Sequence, residues 1–423
     1  MPHRATRPAP IFGSPAAAPE RARVGTVWAC REYQGLWAAQ AVTLLGDQIA
    51  RVALALLVFD RTRSATASAA AYAVTLLPAV LGGPLLAGIA DRHPRRAVMI
   101  RCDVACAALT AAVAVPGMPL PVLFGLIFVV SLLDAPFGAA RSSLVRDVFP
   151  GDDDRYAVAT TIGGITLRAS QILGFTLGGV LVAVVGVRPA LLADAVTFGI
   201  SAVIVRATVT ARPTAIHDRE PGHHLLADLR DGARLVFGEP RLRLLTVYAW
   251  LAAFHVVPVG LAVPVAAHHA GGPIAAGILL AAPAAGTAAG MIALTVGIRD
   301  RKRRAGLIGP LAVLAAAPLI GCATDPPLPV TAVLWAVAGA GTAYQLVANV
   351  AFVSAVPDEH RGQAFGLVVA GLLAGQGAAM IAAGAVADAV NPSVVVAAAG
   401  VAGTLAALAL LPASRTLALP ALE

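Results

Sequence analysis

Residues 88–96 read GIADRHPRR, and residues 297–304 read GIRDRKRR. The two stretches are nearly alike and start 209 positions apart in a chain of 423 residues, and each fills a short basic gap between two long apolar runs. A repeat at this separation indicates two duplicated halves, and parallel repeats of this kind are typical of membrane bundles that hold a solute site between their halves. The repeat therefore predicts a duplicated helical membrane bundle.

The composition supports a membrane protein. Hydrophobic residues make up 58% of the chain, charged residues 13%, and the mean hydropathy is +0.80, values outside the range of water-soluble domains. The net charge of +8 would suit a nucleic-acid partner if the basic residues formed one soluble face, but they fall in short gaps between apolar runs. We therefore expect the lipid bilayer as a partner and no nucleic acid.

Twelve apolar runs are each long enough, at about 1.5 Å per residue, to cross a hydrocarbon core about 30 Å thick. They predict an all-α membrane protein with two six-helix bundles at residues 32–206 and 243–412. A cytoplasmic linker is predicted at 207–242, a disordered cytoplasmic tail at 1–31 and a second cytoplasmic tail at 413–423. The runs are 36–59, 67–90, 97–115, 121–140, 157–185, 190–209, 244–267, 273–297, 307–322, 329–356, 362–390 and 393–411.

The distribution of basic residues predicts the orientation. Of the 31 Lys and Arg residues, 26 lie in the tails and gaps on one side of the predicted bundle, and three lie on the other side. Under the positive-inside rule the first side is cytoplasmic. We therefore expect both termini in the cytoplasm of a cell whose plasma or inner membrane holds the protein.

The chain lacks the sequence motifs of several kinds of chemistry. The only lysine, Lys302, does not follow a glycine, so a Walker A loop is impossible, and there is no HExxH or nucleophile motif. We predict no metal, no cofactor and no enzymatic activity, and the alternatives of a polytopic membrane enzyme or a non-transporting receptor have no motif in their favour. We also expect no disulfide, because no CxxC or pairing pattern joins Cys30, Cys102, Cys106 and Cys322.

The basic gap DRHPRR at residues 91–96 resembles the signature cytoplasmic loop of the major facilitator superfamily. Ala87 stands at the usual opening glycine and Pro94 at the second glycine, while the aspartate and the arginines are kept. The resemblance implies the major facilitator fold and a latch that ties the two halves together on the cytoplasmic side. We expect the aspartate to face the dipole at the start of the eleventh run. The latch candidates are Gly88, Asp91, Arg92, Arg95 and Arg96.

Residues 174–179, GFTLGG, resemble the antiporter motif of the same family, with Phe175 in place of its proline. Gly174, Gly178 and Gly179 therefore suggest antiport, and the alternative is a small-residue interface for close helix packing. Residues 45–48, 136–144 and 357–366 resemble the efflux branch that includes macrolide and siderophore exporters. The resemblance implies a drug:proton antiporter.

Charged residues inside the apolar runs are functional candidates, because an ionised side chain at mid-bilayer costs about 2.5–3.5 kcal/mol. Asp47 lies near the middle of the first run, with Arg51 one turn further on the same face. Three interpretations of Asp47 stay open: a proton carrier, a fixed ion pair with Arg51, or a contact with substrate. Asp134 and Arg168 are further coupling candidates.

The remaining intramembrane residues have weaker expectations. We expect Asp134 to pair with Arg95 or Arg96, and we expect Asp103 and Asp194 to lie nearer the ends of their runs as packing partners. His255 suits either an interhelical hydrogen bond or a titrating group. Uncharged polar residues are candidates for the lining of a central cavity: Gln40, Gln48, Gln171, Gln345, Asn349 and Gln376.

Taken together, these features predict a monomeric secondary transporter that exports amphipathic small molecules. Transport would proceed by rocking of the two halves around a midplane site, driven by protons. An importer or a facilitator of the same fold that needs no proton is the alternative. No motif identifies the substrate.

Overall fold

A computed structural model describes residues 24–76, 78, 93–212, 225–298, 300–357 and 360–417 of the chain. These residues are helical apart from short turns, and no β-strand occurs among them. The prediction of an all-α fold is therefore confirmed.

The chain up to residue 212, here called the N-terminal half, has seven helices that lie within the described residues. Side chains cap the first turn of two of them. The side chain of Ser64, for example, accepts a hydrogen bond of 3.1 Å from the N–H of Ala67 and so caps the third helix. The helices are α1 (Val24–Trp28), α2 (Arg31–Thr62), α3 (Ala65–Ala73), α4 (Arg95–Val113), α5 (Leu120–Val148), α6 (Asp153–Val185) and α7 (Val187–Thr208).

The part of the chain from residue 225 onward, here called the C-terminal half, has more interrupted helices. Its first predicted span is divided into three helical segments, and the span near residue 342 is divided into two. The helices are α8 (Leu225–Gly238), α9 (Pro240–Trp250), α10 (Ala252–His255), α11 (Val257–His268), α12 (Gly272–Gly297), α13 (Arg301–Gly306), α14 (Ile308–Leu314), a 3₁₀ helix (Ala317–Thr324), α15 (Leu328–Gly341), α16 (Tyr344–Ala355), α17 (Arg361–Ala387) and α18 (Pro392–Leu417).

Within the described residues, nine helical stretches are long and apolar enough to cross a membrane. The second predicted run lies partly outside the described residues, the third (α4) contains four charged side chains, and the ninth (Ile308–Thr324) is short. The chain is therefore a multi-pass membrane protein, and the count of twelve spans stays a prediction. The nine stretches are Arg31–Thr62, Leu120–Val148, Asp153–Val185, Val187–Thr208, Pro240–His268, Gly272–Gly297, Leu328–Ala355, Arg361–Ala387 and Pro392–Ser414.

The predicted linker at 207–242 contains an ordered helix. Residues 213–224 lie outside the described part of the chain, but α8 follows them and packs against the start of α17. A Cβ atom on Gly232 would lie 3.1 Å from the carbonyl oxygen of Gln363. Val236 on the same helix is fully buried in the core of the C-terminal half. Part of the linker is therefore joined to the C-terminal half.

The two halves touch closely at the end of the bundle that contains Arg63, which the charge distribution predicts to be external. There α6 crosses α12, and a Cβ atom on Gly179 would lie 3.0 Å from the Cα atom of Gly277. Nearby, α17 reaches α3, and a Cβ atom on Gly384 would lie 2.7 Å from the Cα atom of Thr66. Only glycine allows backbones to approach this closely. We call this end the predicted external end, and the opposite end the predicted cytoplasmic end.

Candidate functional site

A cavity of about 240 Å³ lies inside the N-terminal half, mainly between α2, α4 and α5. Half of its lining residues are polar or charged, which is unusual for the interior of a membrane bundle. The polar lining consists of Gln40, Thr43, Asp47, Gln48, Arg51, Asp103, Asp134 and Arg141, and the rest of Leu44, Cys102, Cys106, Leu133, Phe137, Gly138, Leu167 and Phe198.

A second, smaller cavity of about 50 Å³ continues from the first toward the predicted external end. Asp47, Arg51 and Asp134 line both cavities, so they form the junction between them. On α2 the lining runs from Gln40 to Leu54, a distance of about 21 Å at about 1.5 Å per residue. The two cavities therefore place polar groups along roughly two thirds of the thickness of a bilayer core.

Four carboxyl groups from four different helices surround these cavities. Asp47 comes from α2, Asp103 from α4, Asp134 from α5 and Asp194 from α7. Asp134 is exposed to the cavity, whereas Asp103 and Asp194 are buried. Asp103 accepts a hydrogen bond of 2.7 Å from the hydroxyl group of Ser201. The site thus gathers two more carboxyl groups than the sequence predicts for it.

The expected positions of two of these acids were wrong. Asp103 is the ninth of 19 residues in α4, and Asp194 is the eighth of 22 residues in α7, so neither lies near a helix end. The sequence contained a usable signal, since all four acids lie inside apolar runs of the N-terminal half. The apolar runs of the C-terminal half contain only Asp388, close to an end. All four acids are functional candidates on the same ground, the cost of an ionised side chain inside the bilayer.

Arg51 does not form the fixed ion pair considered as one interpretation. One of its terminal nitrogens donates a hydrogen bond of 3.2 Å to Oε1 of Gln48, and its guanidinium carbon lies 5.6 Å from the ring centroid of Tyr72. Among the described residues, no ion pair within 4.0 Å joins Arg51 to Asp47 or Asp134. The guanidinium therefore acts on the carboxyl groups across the cavity rather than in direct contact.

Two further arginines of the N-terminal half bind glutamines. Arg141 donates a hydrogen bond of 2.8 Å to Oε1 of Gln40 at the predicted cytoplasmic end of the cavity. Arg168 donates one of 2.9 Å to Oε1 of Gln171 on its own helix. In the described part of the chain, no ion pair joins Arg168 to Asp134.

The predicted cytoplasmic latch is only partly visible. Gly88, Asp91 and Arg92 lie outside the described residues. Arg95 forms an ion pair with Asp147, and Arg96 donates a hydrogen bond of 2.5 Å to the carbonyl oxygen of Arg206. Both partners belong to the N-terminal half.

The expected pairing of Asp134 with Arg95 or Arg96 is wrong. Asp134 lies 13 residues before Asp147 on α5, a distance of about 20 Å along the helix. That distance places Asp134 at the cavity rather than at the basic loop.

The polar candidates of the C-terminal half lie away from this cavity. Gln345 and Gln376 are half-buried and Asn349 is exposed, and none of the three lines either cavity described above. His255 stands beside the ring of Tyr344, with centroids 6.0 Å apart, and its Nδ1 atom is buried with no hydrogen-bond partner in the described structure.

The three glycines of the GFTLGG stretch serve close helix packing. A Cβ atom on Gly174 would lie 2.6 Å from Cβ of Gln48, and one on Gly178 would lie 3.0 Å from Cα of Ile49. Gly179 packs against α12 of the other half. Two of the glycines therefore hold α6 against α2, next to the cavity, and the third forms part of the seam between the halves.

A bundle of long apolar helices with polar cavities inside one half is the architecture expected of a membrane transporter. The chain belongs to the major facilitator superfamily, whose family model, described as Major Facilitator Superfamily, matches residues 36–320 and 256–421. The membership predicted from the basic loop is thereby confirmed.

Two curated proteins resemble segments of the chain. The uncharacterized MFS-type transporter YkuC of Bacillus subtilis is 25% identical over 179 residues, which are 42% of this chain and 41% of that protein. Macrolide efflux protein A of Streptococcus pyogenes is 32% identical over 97 residues, which are 22% of this chain and 24% of that protein. The chain thus spans about two fifths or less of the length of these relatives.

Solved structures share the fold over nearly the whole chain. The nucleoside transporter NupG (D323A mutant) has a TM-score of 0.72 at 14% identity, with 91% of this chain and 99% of that chain covered. A bacterial homolog of the human lysosomal transporter Spinster, inward-facing and unoccupied, has a TM-score of 0.64 at 16% identity, with 95% and 96% covered. These likenesses show the fold alone.

Proposed function

We propose that this protein exports an amphipathic small molecule in exchange for protons, and that Asp47 and Asp134 carry the protons. The observation that carries the proposal is the acidic junction between the two cavities of the N-terminal half. There two carboxyl groups face one guanidinium group, Arg51, which neither of them contacts directly. Asp103 and Asp194 add two more carboxyl groups around the same space.

The cost of this arrangement depends on protonation. Each ionised side chain at mid-bilayer costs about 2.5–3.5 kcal/mol, and one arginine cannot offset four carboxylates. Uptake of protons removes the cost, and so does contact with water when the cavity opens. The carboxyl groups therefore bind or release protons according to the side to which the cavity opens. Coupling of proton movement to substrate transport requires this dependence.

The free energy available is sufficient for useful export. One proton that moves inward across a potential of 100 mV releases about 2.3 kcal/mol. Since about 1.4 kcal/mol corresponds to a factor of ten, one proton supports a concentration ratio of about fifty. No additional energy source is required.

Three observations support export as the direction. The GFTLGG stretch resembles an antiporter motif, three further stretches resemble the efflux branch, and one curated relative carries the name macrolide efflux protein A. We accordingly take a macrolide as the first substrate to test. Uptake of substrate is the competing outcome of the same experiment.

The test uses inverted membrane vesicles that contain the protein and a fluorescent pH indicator of the lumen. Addition of erythromycin to energised vesicles should release protons from the lumen and accumulate the drug inside. The D47N variant should lose both responses and still exchange labelled against unlabelled erythromycin, because exchange needs the rocking motion but no net proton movement. D60N is the matched control, since Asp60 lies on the same helix but is exposed at its end.

Each result decides between the alternatives. Proton release that persists in D47N assigns Asp47 a structural role and overturns its part of the proposal. Drug movement into wild-type vesicles without any pH response overturns proton coupling and favours a facilitator. Wild-type vesicles that neither move erythromycin nor release protons on its addition overturn the macrolide assignment.

A further inference from the structure

One carboxylate of the C-terminal half binds the N-terminal half at the predicted external end. Asp388, directly after α17, accepts hydrogen bonds from the first residues of α3. Its Oδ1 accepts from the N–H of Ala65 at 2.5 Å. Its Oδ2 accepts from the hydroxyl groups of Ser64 and Thr66 at 2.8 and 2.6 Å, and from the N–H of Thr66 at 3.3 Å.

These bonds satisfy groups that a helix start leaves open. The first N–H groups of α3 have no partner within the helix, and the helix dipole favours a negative charge at this end. Burial raises the pKa of Asp388, but the hydrogen bonds from Thr66, Ser64 and the backbone outweigh it, so that the pKa is lowered overall. The carboxylate is therefore held in its charged, accepting form.

The turn that carries Asp388 is anchored to the rest of the C-terminal half. The side-chain nitrogen of Asn391 lies 3.1 Å from Nε2 of His268, which lies 2.9 Å from Oδ2 of Asp325. Hydrogen bonding, foremost to His268, lowers the pKa of Asp325 to about 2, so this anchor stays ionised at neutral pH. Asp388 thus moves with the C-terminal half as a unit.

We propose that Asp388 is a latch that holds the predicted external end closed, and that it must release α3 before that end opens. In a rocking transition the bonds within each half persist, whereas bonds between the halves at the opening end break. All four bonds of Asp388 join the two halves and break together. The latch therefore shifts the equilibrium toward the state closed at this end.

The latch has a predicted counterpart at the opposite end of the same helix pair. The sequence places Asp91 after the second run, and the expected partner of Asp91 is the start of the eleventh run, which is α17. Asp388 follows α17 and binds the start of α3, the beginning of the second run. On this expectation each of the two runs supplies a carboxylate for the start of the other. Closure of either end is then stabilised by the same chemistry.

The test measures opening directly and requires neither substrate nor proton gradient. Ala69 on α3 is fully buried beside Met380 of α17, in the contact between the halves. In a background without native cysteines, A69C should react with the membrane-impermeant reagent MTSET only when the predicted external end opens. We expect D388N to raise the initial rate of labelling at least fivefold, and D388E to restore it in part.

Two comparisons keep the result interpretable. The T66V variant retains Asp388 but removes one donor, and it should raise the labelling rate by a smaller factor than D388N. D60N, an exposed acid at the same end with Arg63 of its own half as its neighbour, should leave the rate unchanged. Gel filtration of each variant checks that it is folded. Labelling rates of D388N and T66V equal to that of A69C alone, or lower, would overturn the latch, whatever the substrate proves to be.

Discussion

Replacement of Gly174 by alanine tests whether the glycine seam between α2 and α6 supports the charged site. The added Cβ atom would lie 2.6 Å from Cβ of Gln48 and 2.9 Å from the carbonyl oxygen of Leu45. Carbon atoms pack at about 3.5–4.0 Å, so α2 and α6 must separate by about 1 Å. Gln48, whose Cβ atom the new methyl group would meet, accepts the hydrogen bond of 3.2 Å from Arg51 on the same helix.

The expected change in the stability of G174A follows mainly from packing. Insertion of one carbon atom into a closely packed interface costs about 1–3 kcal/mol, and Leu45 contributes a backbone atom that cannot rotate away. Alanine gains about 0.5–1 kcal/mol over glycine through its lower conformational entropy in a helix. The net change for G174A is therefore a loss of stability of about 2.5 kcal/mol at the most, since the cost of packing exceeds the gain in helix propensity.

G164A on the same helix is the matched control, because a Cβ atom on Gly164 would meet nothing within 4 Å. G164A gains the higher helix propensity of alanine without a steric overlap of the added Cβ atom. We would measure the thermal midpoint of each variant in detergent by the loss of its gel-filtration peak after heating. G174A should unfold at a lower temperature than wild type, and G164A at the same or a higher one. A midpoint for G174A at or above that of G164A would refute the close contact between α6 and Gln48.

Three further predictions concern the contacts between and within the halves. G179A should hinder the approach of α6 to α12 and raise the labelling of a cysteine at position 69, while G199A, whose Cβ atom would meet nothing within 4 Å, should not. Because the pKa of Asp388 is lowered, the latch contributes above the usual carboxyl pKa and is lost only as the pH falls through the lowered value. The labelling rate of A69C with D388N, divided by that of A69C alone, should therefore be the same at pH 8 and pH 6, since the thiolate fraction of the introduced cysteine changes both rates alike. The ion pair between Arg95 and Asp147 is about one third exposed, so R95A and D147A should each lower stability by about 1 kcal/mol or less, measured as thermal midpoints in detergent.

The sequence predicted the spans but not the ends of their helices. The first run was placed at 36–59, and α2 extends from Arg31 to Thr62; the fourth was placed at 121–140, and α5 extends from Leu120 to Val148. Hydropathy reports the segment that crosses the hydrocarbon core, whereas charged residues at the boundary continue the helix into the interface. A helix end is set by its cap and its turn instead.

The breaks in the C-terminal half were missed for a different reason. The seventh run is apolar throughout, so hydropathy reads it as one helix, yet it divides at Leu251 and Val256. Pro258 lies two residues after the second break, and because its nitrogen carries no hydrogen it cannot donate the helical hydrogen bond to the carbonyl group of Phe254. This signal was available in the sequence. The division of the tenth run near Thr342 follows two glycines, at 339 and 341, and was similarly open to prediction.

The sequence predicts which types of residue line the candidate site, but not which individual residues come together there. Asp47, Gln40 and Gln48 were expected near a cavity because polar groups in apolar runs need a partner, and the structure places them around one. Which faces of four helices meet is decided by packing between residues far apart in the chain. Gly46, for example, brings α2 against Asp194 of α7, a contact with no counterpart in local sequence pattern.

The contacts of α6 explain how movement of one half reaches the charged site of the other. Gly174 and Gly178 allow α6 to pack directly against Gln48 and Ile49 of α2. Gly179, the next residue, allows α6 to pack against α12. Backbones in contact at these distances cannot shift independently, since close-packed interiors transmit strain rather than absorb it. A movement of α12 against α6 therefore displaces the wall of the cavity that carries Gln48, and Gln48 in turn positions Arg51. The three glycines therefore couple the seam between the halves to the acidic cavity, whichever solute the protein carries.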